Sequence, residues 1–252
     1  MEQRDDVIEY INRTLGVSSI KDYCPNGLQI AGCEQIEHLV SGVTASQRFL
    51  DAAITAGADA VLVHHGYFWR GEPPELTGMK LARIRTILDA DLSLLAYHLP
   101  LDVHPELGNN AQLGKLFGFE VEGRVAAGGT DGLLFYGRLY EPLENSAFID
   151  HVSRKLGRSV TAVGRSERLI KRVAWCSGGA QRFLPQAACL GVDAFISGEI
   201  SEQTTHEARE NEVLYVAGGH HATERLGVQA LGEKLSEQLQ LTHRFIDVEN
   251  PA

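Results

Sequence analysis

The sequence predicts an α/β protein made of two similar three-layer α/β lobes with mostly parallel or mixed sheets. Three observations predict it. Short apolar stretches alternate with stretches of helical periodicity, the pattern of βαβ units whose helices cover a largely parallel sheet. Gln47-Arg48-Phe49-Leu50 recurs as Gln181-Arg182-Phe183-Leu184, and Gly57-x-Asp59-Ala60 recurs as Gly191-x-Asp193-Ala194, both displaced by the same 134 residues. Chance matches would not keep one register, so the pattern argues for an internal duplication. Finally, 252 residues that are 44% hydrophobic and 22% charged are enough to bury a sizeable core.

The elements follow in order. Val7, Ile8, Ile11 and Leu15 recur at helical spacing and Gly16 follows as a stop, so the chain opens with an amphipathic helix. Pro25-Asn26-Gly27 reads as a tight turn leading into Leu28 to Ile30, because proline fixes φ and the next two residues tolerate positive φ. His38 to Val43 is a short strand. In the first copy, a strand at Leu39 to Val43, a helix and a strand at Ala60 to Val63 form a βαβ unit. In the second copy, Arg172 to Cys176 and Ala194 to Ser197 are the matching strands. Leu92 to Tyr97 and Val213 to Ala217 supply a third strand to each, followed by a polar turn and a helix. Between the copies, Leu133 to Leu139 alternates as a strand and Phe148 to Leu156 fits a helix. The boundary is expected in the Gly-rich stretch Gly123 to Gly132, giving lobes at 1–125 and 126–252, with the C-terminal segment able to pack back on the first.

Composition excludes several classes. The apolar runs are far shorter than the roughly 20 residues of a membrane span. The charged opening, with Glu2, Arg4, Asp5, Asp6 and Glu9, is unlike a secretory signal, so a cytoplasmic location is expected. Cys24, Cys33, Cys176 and Cys189 show no C-x-x-C spacing and read as reduced thiols. A net charge of −10 makes nucleic acid a poor default partner, although a local metal site can still accept a small nucleotide.

Functional groups in open parallel sheets gather beyond the carboxyl ends of strands. His64 and His65 follow one such strand, His98, Asp102 and His104 another, and His220 and His221 a third. Ten histidines in random order would give roughly 0.4 adjacent pairs, and both pairs present fall at strand ends. His220 and Glu224, four apart at the start of a helix, share one face and suit a borderline divalent ion. His64 and His65 point in different directions if the chain is extended there, so that each can serve one of two metals, and Asp102 supplies a carboxylate to bridge them. The expected metal ligands are therefore His64, His65, Asp102, His220 and Glu224. His98 is the candidate general acid or base, and Tyr23 and Asn26 are candidate substrate-binding residues, with Gln29 also able to line the crevice. Asp59 and Asp193 read as turn residues; Trp69 and Trp175 read as packing anchors. His38, His104, His151, His206, His221 and His243 read as satisfied polar residues. Two divalent ions per subunit are expected, and the donor set suits Zn, Fe, Mn, Co or Ni alike.

Several of these segments also carry a family resemblance: Asp22-Tyr23-Cys24-Pro25-Asn26-Gly27-Leu28-Gln29, Gly42-Val43-Thr44-Ala45-Ser46, Val63-His64-His65-Gly66-Tyr67-Phe68-Trp69, His98-Leu99-Pro100-Leu101-Asp102, Gly108-Asn109-Asn110 and Gly218-Gly219-His220-His221-Ala222-Thr223-Glu224. Together and in this order they resemble the bacterial YbgI proteins, the short members of the family catalogued as GTP cyclohydrolase I type 2 homologues. The resemblance runs essentially end to end. It implies two α/β lobes, a dinuclear metal centre in the cleft between them, held by the five ligands above, and a homohexameric ring whose sites face an inner cavity. It also implies hydrolytic ring opening of a small nucleotide-like substrate. The competing reading is a non-enzymatic metal-binding protein, a chaperone or store whose ions are cargo.

Overall fold

The structure, a computed structural model, describes residues 1–165 and 168–252, and the chain divides into two compact units. The first comprises Met1–Gly108 with Gly227–Glu249, and the second Asn109–Leu226 with Asn250–Ala252.

The first unit opens with β1 (Glu2–Gln3) and α1 (Arg4–Leu15). Val7, Ile11 and Leu15 form the buried stripe of α1, and Gly16 ends it in the left-handed region at φ 60°, a conformation open to glycine at no steric cost. There follow β2 (Gly27–Ile30), β3 (Gln35–Ile36), β4 (His38–Thr44), α2 (Gln47–Thr55), β5 (Ala60–His65), α3 (Gly78–Asp89), β6 (Ser93–Ala96) and α4 (Leu99–Val103). Ser46 caps α2 by accepting from the Phe49 N–H. Gly42 is required in β4, because a Cβ there would collide with the Phe49 ring. β4, β5 and β6 pair in parallel and β2 pairs antiparallel with β6. Pleating sends Leu39, Ala60 and Leu62 into one core and Val40, Val61 and Val63 into another, so the sheet is covered on both faces.

The second unit contains α5 (Asn109–Phe117), β7 (Glu120–Ala127), β8 (Thr130–Leu143), α6 (Asn145–Leu156), β9 (Thr161–Val163), β10 (Ile170–Trp175), α7 (Leu184–Cys189), β11 (Ala194–Ser197), α8 (Glu202–Glu210) and β12 (Leu214–Ala217). Its six strands lie in the order β7-β8-β10-β11-β12-β9. The central β10-β11-β12 run is parallel, and β8 and β9 join it antiparallel. Trp175, Phe148 and Phe119 anchor the core, and Trp175 also donates to the Asn110 carbonyl at 2.7 Å. α7 is shorter than its counterpart α2: a 3-10 turn at Gln181–Phe183 precedes it and Pro185 sits in its first turn.

α9 (His220–Gln238) starts in the second unit, and from Gly227 onward it belongs to the first, where Val228, Leu231 and Leu235 enter the core. β13 (Thr242–Phe245) then pairs in parallel with β4 and completes the order β13-β4-β5-β6-β2. The division therefore falls at Gly108/Asn109, not between 125 and 126. α5 gives Ala111, Leu113 and Phe117 to the second core, and β7 hydrogen-bonds to β8, which ties 109–125 to the second unit.

Both units carry the same local device. The Asp59 carboxylate accepts from the N–H groups of Glu37 and His38 at 2.8 Å each, and that of Asp193 accepts from Lys171 at 3.0 Å and Arg172 at 2.8 Å. Each aspartate stands in the turn directly before one strand while satisfying N–H groups at the start of its parallel neighbour, the turn role expected of both. Among the described residues no helix is long and apolar enough to cross a membrane.

Candidate functional site

In the first unit the site grows from the carboxyl ends of β5 and β6. His64 and His65 are the last two residues of β5 and not the first beyond it: His65 still lies opposite Thr44 in the ladder. Their side chains start on opposite faces, yet the chain turns at Gly66 and the rings tilt to lie 4.7 Å apart. Gly66 has no room for a side chain, since a Cβ would overlap the Gln29 amide oxygen. Gln29 spans the gap by donating to the carbonyls of Pro25 and Tyr67 and accepting from the Tyr67 N–H.

His64 is fully buried, and its Nδ1 lies 2.9 Å from the Tyr97 carbonyl. That acceptor fixes the proton on Nδ1 and turns Nε2 toward Asp102, whose carboxylate is 3.5 Å away. Asp102 reaches this place because the short helix α4 starts directly after His98, with Pro100 in its first turn. His65 Nδ1 lies 3.2 Å from the Thr44 hydroxyl. His98 completes a cluster of three imidazoles, with one nitrogen from each within 4.8 Å of the others.

His98 is held from behind. Its Nδ1 lies 3.1 Å from Asp22, its N–H donates to Asn26 at 2.7 Å, and its Nε2 is 3.5 Å from the Tyr23 hydroxyl. Burial raises the Asp22 pKa, but hydrogen bonds from His98, Asn26 and the Leu99 N–H, with the charge of His98, hold the carboxyl well below its usual range. Burial, with the charges of Asp22 and Asp102, pushes the Cys24 thiol up, so it stays protonated. The Asn26 amide is committed at both ends, donating to Asp22 and accepting from His98, and thus positions the histidine.

In the second unit His220 begins α9 and Glu224 lies one turn on. Their facing atoms, Nε2 and a carboxylate oxygen, are 3.1 Å apart. On the other side of the ring, Nδ1 is 2.7 Å from Glu199. Burial alone would lower the pKa of His220; the two carboxylates outweigh it and raise the value to about 9. Gly178, in the left-handed region at φ 64°, passes so close beneath the pair that a Cβ would overlap the Glu224 carboxylate.

The structure thus joins His64, His65, Asp102 and His98 in the first unit, and His220 and Glu224 in the second. Sequence reasoning missed Glu199 and Gly178. A usable signal existed for Glu199, because it lies 134 residues on from His65, in the repeat's own register. Trp69 departs from its expected packing role. Its ring meets His98 edge-on at 5.1 Å and lies 5.9 Å from His65, because the turn after Gly66 carries it back over the histidines. Most remaining histidines make ordinary hydrogen bonds: His104 accepts from the Leu107 N–H, His151 meets the Phe117 carbonyl, and His243 meets Ser41.

These donors are the ones carried by the His-His-Gly, His-x-Pro-x-Asp and His-x-x-x-Glu motifs, and the chain as a whole is similar to known proteins. The model of the Duf34/NIF3 (NGG1p interacting factor 3) family matches residues 2–251. The chain belongs to the DUF34/NIF3 family. A relative from Pseudomonas aeruginosa, named GTP cyclohydrolase 1 type 2 homolog, is 54% identical over 246 residues, covering 98% of this chain and 97% of its own. A relative of the same name from Escherichia coli K12 is 49% identical and covers 97% of both chains. A solved structure, that of protein ybgI, is 48% identical, with a TM-score of 0.96 and complete coverage of both chains. These agree with the resemblance read from the motifs and with the α/β fold class.

Proposed function

We propose that this NIF3-family chain is a dinuclear metal protein that acts as a metal-dependent hydrolase on a small nucleotide-like substrate. On this reading, His64, His65 and Asp102 from one unit and His220 and Glu224 from the other hold two divalent ions. The observation that carries the reading is a geometry found twice. His64 has Nδ1 on the Tyr97 carbonyl and Nε2 toward Asp102, and His220 has Nδ1 on Glu199 and Nε2 toward Glu224. Metal-ligating histidines are commonly oriented this way, with an acceptor behind the ring and the other nitrogen facing the ion. The donor set fits as well: imidazoles and carboxylates suit Zn, Fe, Mn, Co or Ni. Gly178 keeps the space beside His220 and Glu224 clear of any side chain.

Two bound divalent ions supply Lewis acidity and a water that ionises near neutral pH. The residues of the chain do the rest. Asp22 and Asn26 orient His98, whose Nε2 can take or give a proton on the side of the three-imidazole cluster. The substrate class draws on the relatives' name, GTP cyclohydrolase 1 type 2 homolog. The same reading includes a cytoplasmic homohexameric ring, testable by native mass spectrometry. It also includes descent of the two units from one duplicated βαβ core, supported by the matching roles of Asp59 and Asp193.

The test is elemental analysis and turnover on one preparation, purified without chelator and screened against nucleotides and their damaged or cyclic relatives. His64→Ala and Glu224→Ala are expected to lose metal and turnover together. Turnover persisting in a variant shown to be metal-free would remove the hydrolase reading. Full metal content with no turnover across the panel would favour the cargo-binding alternative.

A further inference from the structure

We propose that Tyr23 and Trp69 form a wall on which a planar heteroaromatic ring, a nucleobase or a fused bicyclic relative, stacks beside the histidine cluster. The inference rests on the reading of that cluster as a reaction site and names the part of the substrate it would grip.

Neither aromatic behaves as a core residue. Among the described residues, neither joins the apolar clusters of the first unit, and Tyr23 is 48% exposed. Both make ring contacts with each other and with imidazoles. The two rings are 5.7 Å apart at 38°, and both meet His98 nearly edge-on, at 5.0 Å and 76° for Tyr23 and 5.1 Å and 85° for Trp69. Tyr23 is the ring with open surface, and Trp69 supports it.

The wall is fixed by the backbone. The Tyr23 N–H donates to Asp22 at 2.6 Å and its carbonyl accepts from the Arg70 N–H at 2.8 Å, which ties the two aromatic segments together. The Trp69 indole N–H donates to the Gly66 carbonyl, and the Trp69 backbone N–H to Glu72. Between Tyr67, anchored in the core by its hydroxyl on the Ala45 carbonyl, and Trp69 stands Phe68 at φ 65°. A bulky L residue adopts that conformation only where its surroundings impose it, and such residues concentrate at functional sites. Here the reversal at Phe68 lets one neighbour anchor the loop while the other faces the histidines.

A rigid aromatic face flanked by polar groups suits a planar ring. Stacking tolerates any base, while the Tyr23 hydroxyl and the His98 nitrogen beside it can address ring nitrogens and exocyclic groups. A cation is the other ligand that aromatic faces take. Asp22, the carboxylate beside the wall, already accepts from His98, Tyr23, Asn26 and Leu99, which leaves it poorly placed to draw one in.

The test is binding of guanosine to the full-length protein, with affinities from isothermal titration calorimetry and the site read from the Trp69 indole N–H resonance, which Trp69→Phe identifies by its loss. Metal content is measured on every sample. Guanosine is expected to shift this resonance, whereas ribose 5-phosphate and tetramethylammonium leave it in place. Tyr23→Leu and Trp69→Leu should each weaken guanosine about tenfold, the loss of one base–aromatic stack, and Tyr23→Phe, which keeps the stack and loses only the hydroxyl, should weaken it less than Tyr23→Leu. Unchanged metal content in these variants, checked with circular dichroism, separates loss of the wall from loss of the centre. Equal guanosine affinity in Tyr23→Leu, Trp69→Leu and wild type would overturn the proposal. So would a failure of guanosine to bind, or a shift produced equally by tetramethylammonium. Guanosine binding through Trp69 in metal-loaded wild type that shows no turnover across the substrate panel would uphold the wall while removing the hydrolase reading.

Discussion

At the scale of single residues, His220 shows how neighbours set chemistry. Its ring lies between two carboxylates, Glu199 at 2.7 Å and Glu224 at 3.1 Å, so in metal-free protein it keeps its proton to about pH 9, against 6.5 for a free histidine. A pKa raised by folding stabilises the fold fully below the unfolded value, and that contribution fades as pH rises from 6.5 through about 9. Nuclear magnetic resonance titration of chelator-treated protein should therefore place the His220 midpoint near 9. In Glu199→Gln it should move down toward the ordinary value. A wild-type midpoint near 6.5 would contradict the carboxylate sandwich. Glu199 was hidden from a local reading, because its role exists only once β11 and α9 are folded and nothing in Ser197-Gly198-Glu199 announces a histidine partner; only the 134-residue register with His65 pointed to it. Gly178 was hidden for the same reason, since the group that excludes a Cβ there is a carboxylate 46 residues away in the chain. By contrast, His64 and His65 could be singled out as candidates because they close a strand, Asp102 because it follows His98 in a turn beyond one, and His220 and Glu224 because a four-residue spacing puts them on one helix face.

At the scale of elements, each aspartate at a strand start acts as a clamp. Asp59 and Asp193 each accept two backbone N–H groups, and replacing either with alanine leaves those donors without the carboxylate. Asp59→Ala and Asp193→Ala should each cost about 1 to 3 kcal/mol in denaturant unfolding, with metal content retained. A cost below about 0.5 kcal/mol at both would show that the clamp does little. Strands and the opening helix were readable because alternation, helical spacing and Gly16 are local signals. α7 was not, because the apolar pattern continues through Leu184 while Pro185 and the preceding 3-10 turn shorten the helix. The start of the second unit was equally opaque: α5 and β7 join it through Phe117 and the pairing with β8, contacts that no glycine-rich stretch marks.

At the scale of the whole molecule, the chain leaves the first unit at Gly108 and returns to it at Gly227, with α9 carrying His220 and Glu224 in one unit and Val228, Leu231 and Leu235 in the other. The net charge of −10 makes bound cations electrostatically welcome across the molecule and opposes polyanions at long range. The central claim is that ligands from both units close on one pair of ions. Anomalous difference maps from crystals grown with the native metal test this most directly. The account predicts two peaks per chain about 3.5 to 4 Å apart, bonded jointly by His64, His65, Asp102, His220 and Glu224. Well-occupied peaks held by the residues of one unit alone, or a single peak per chain, would contradict it.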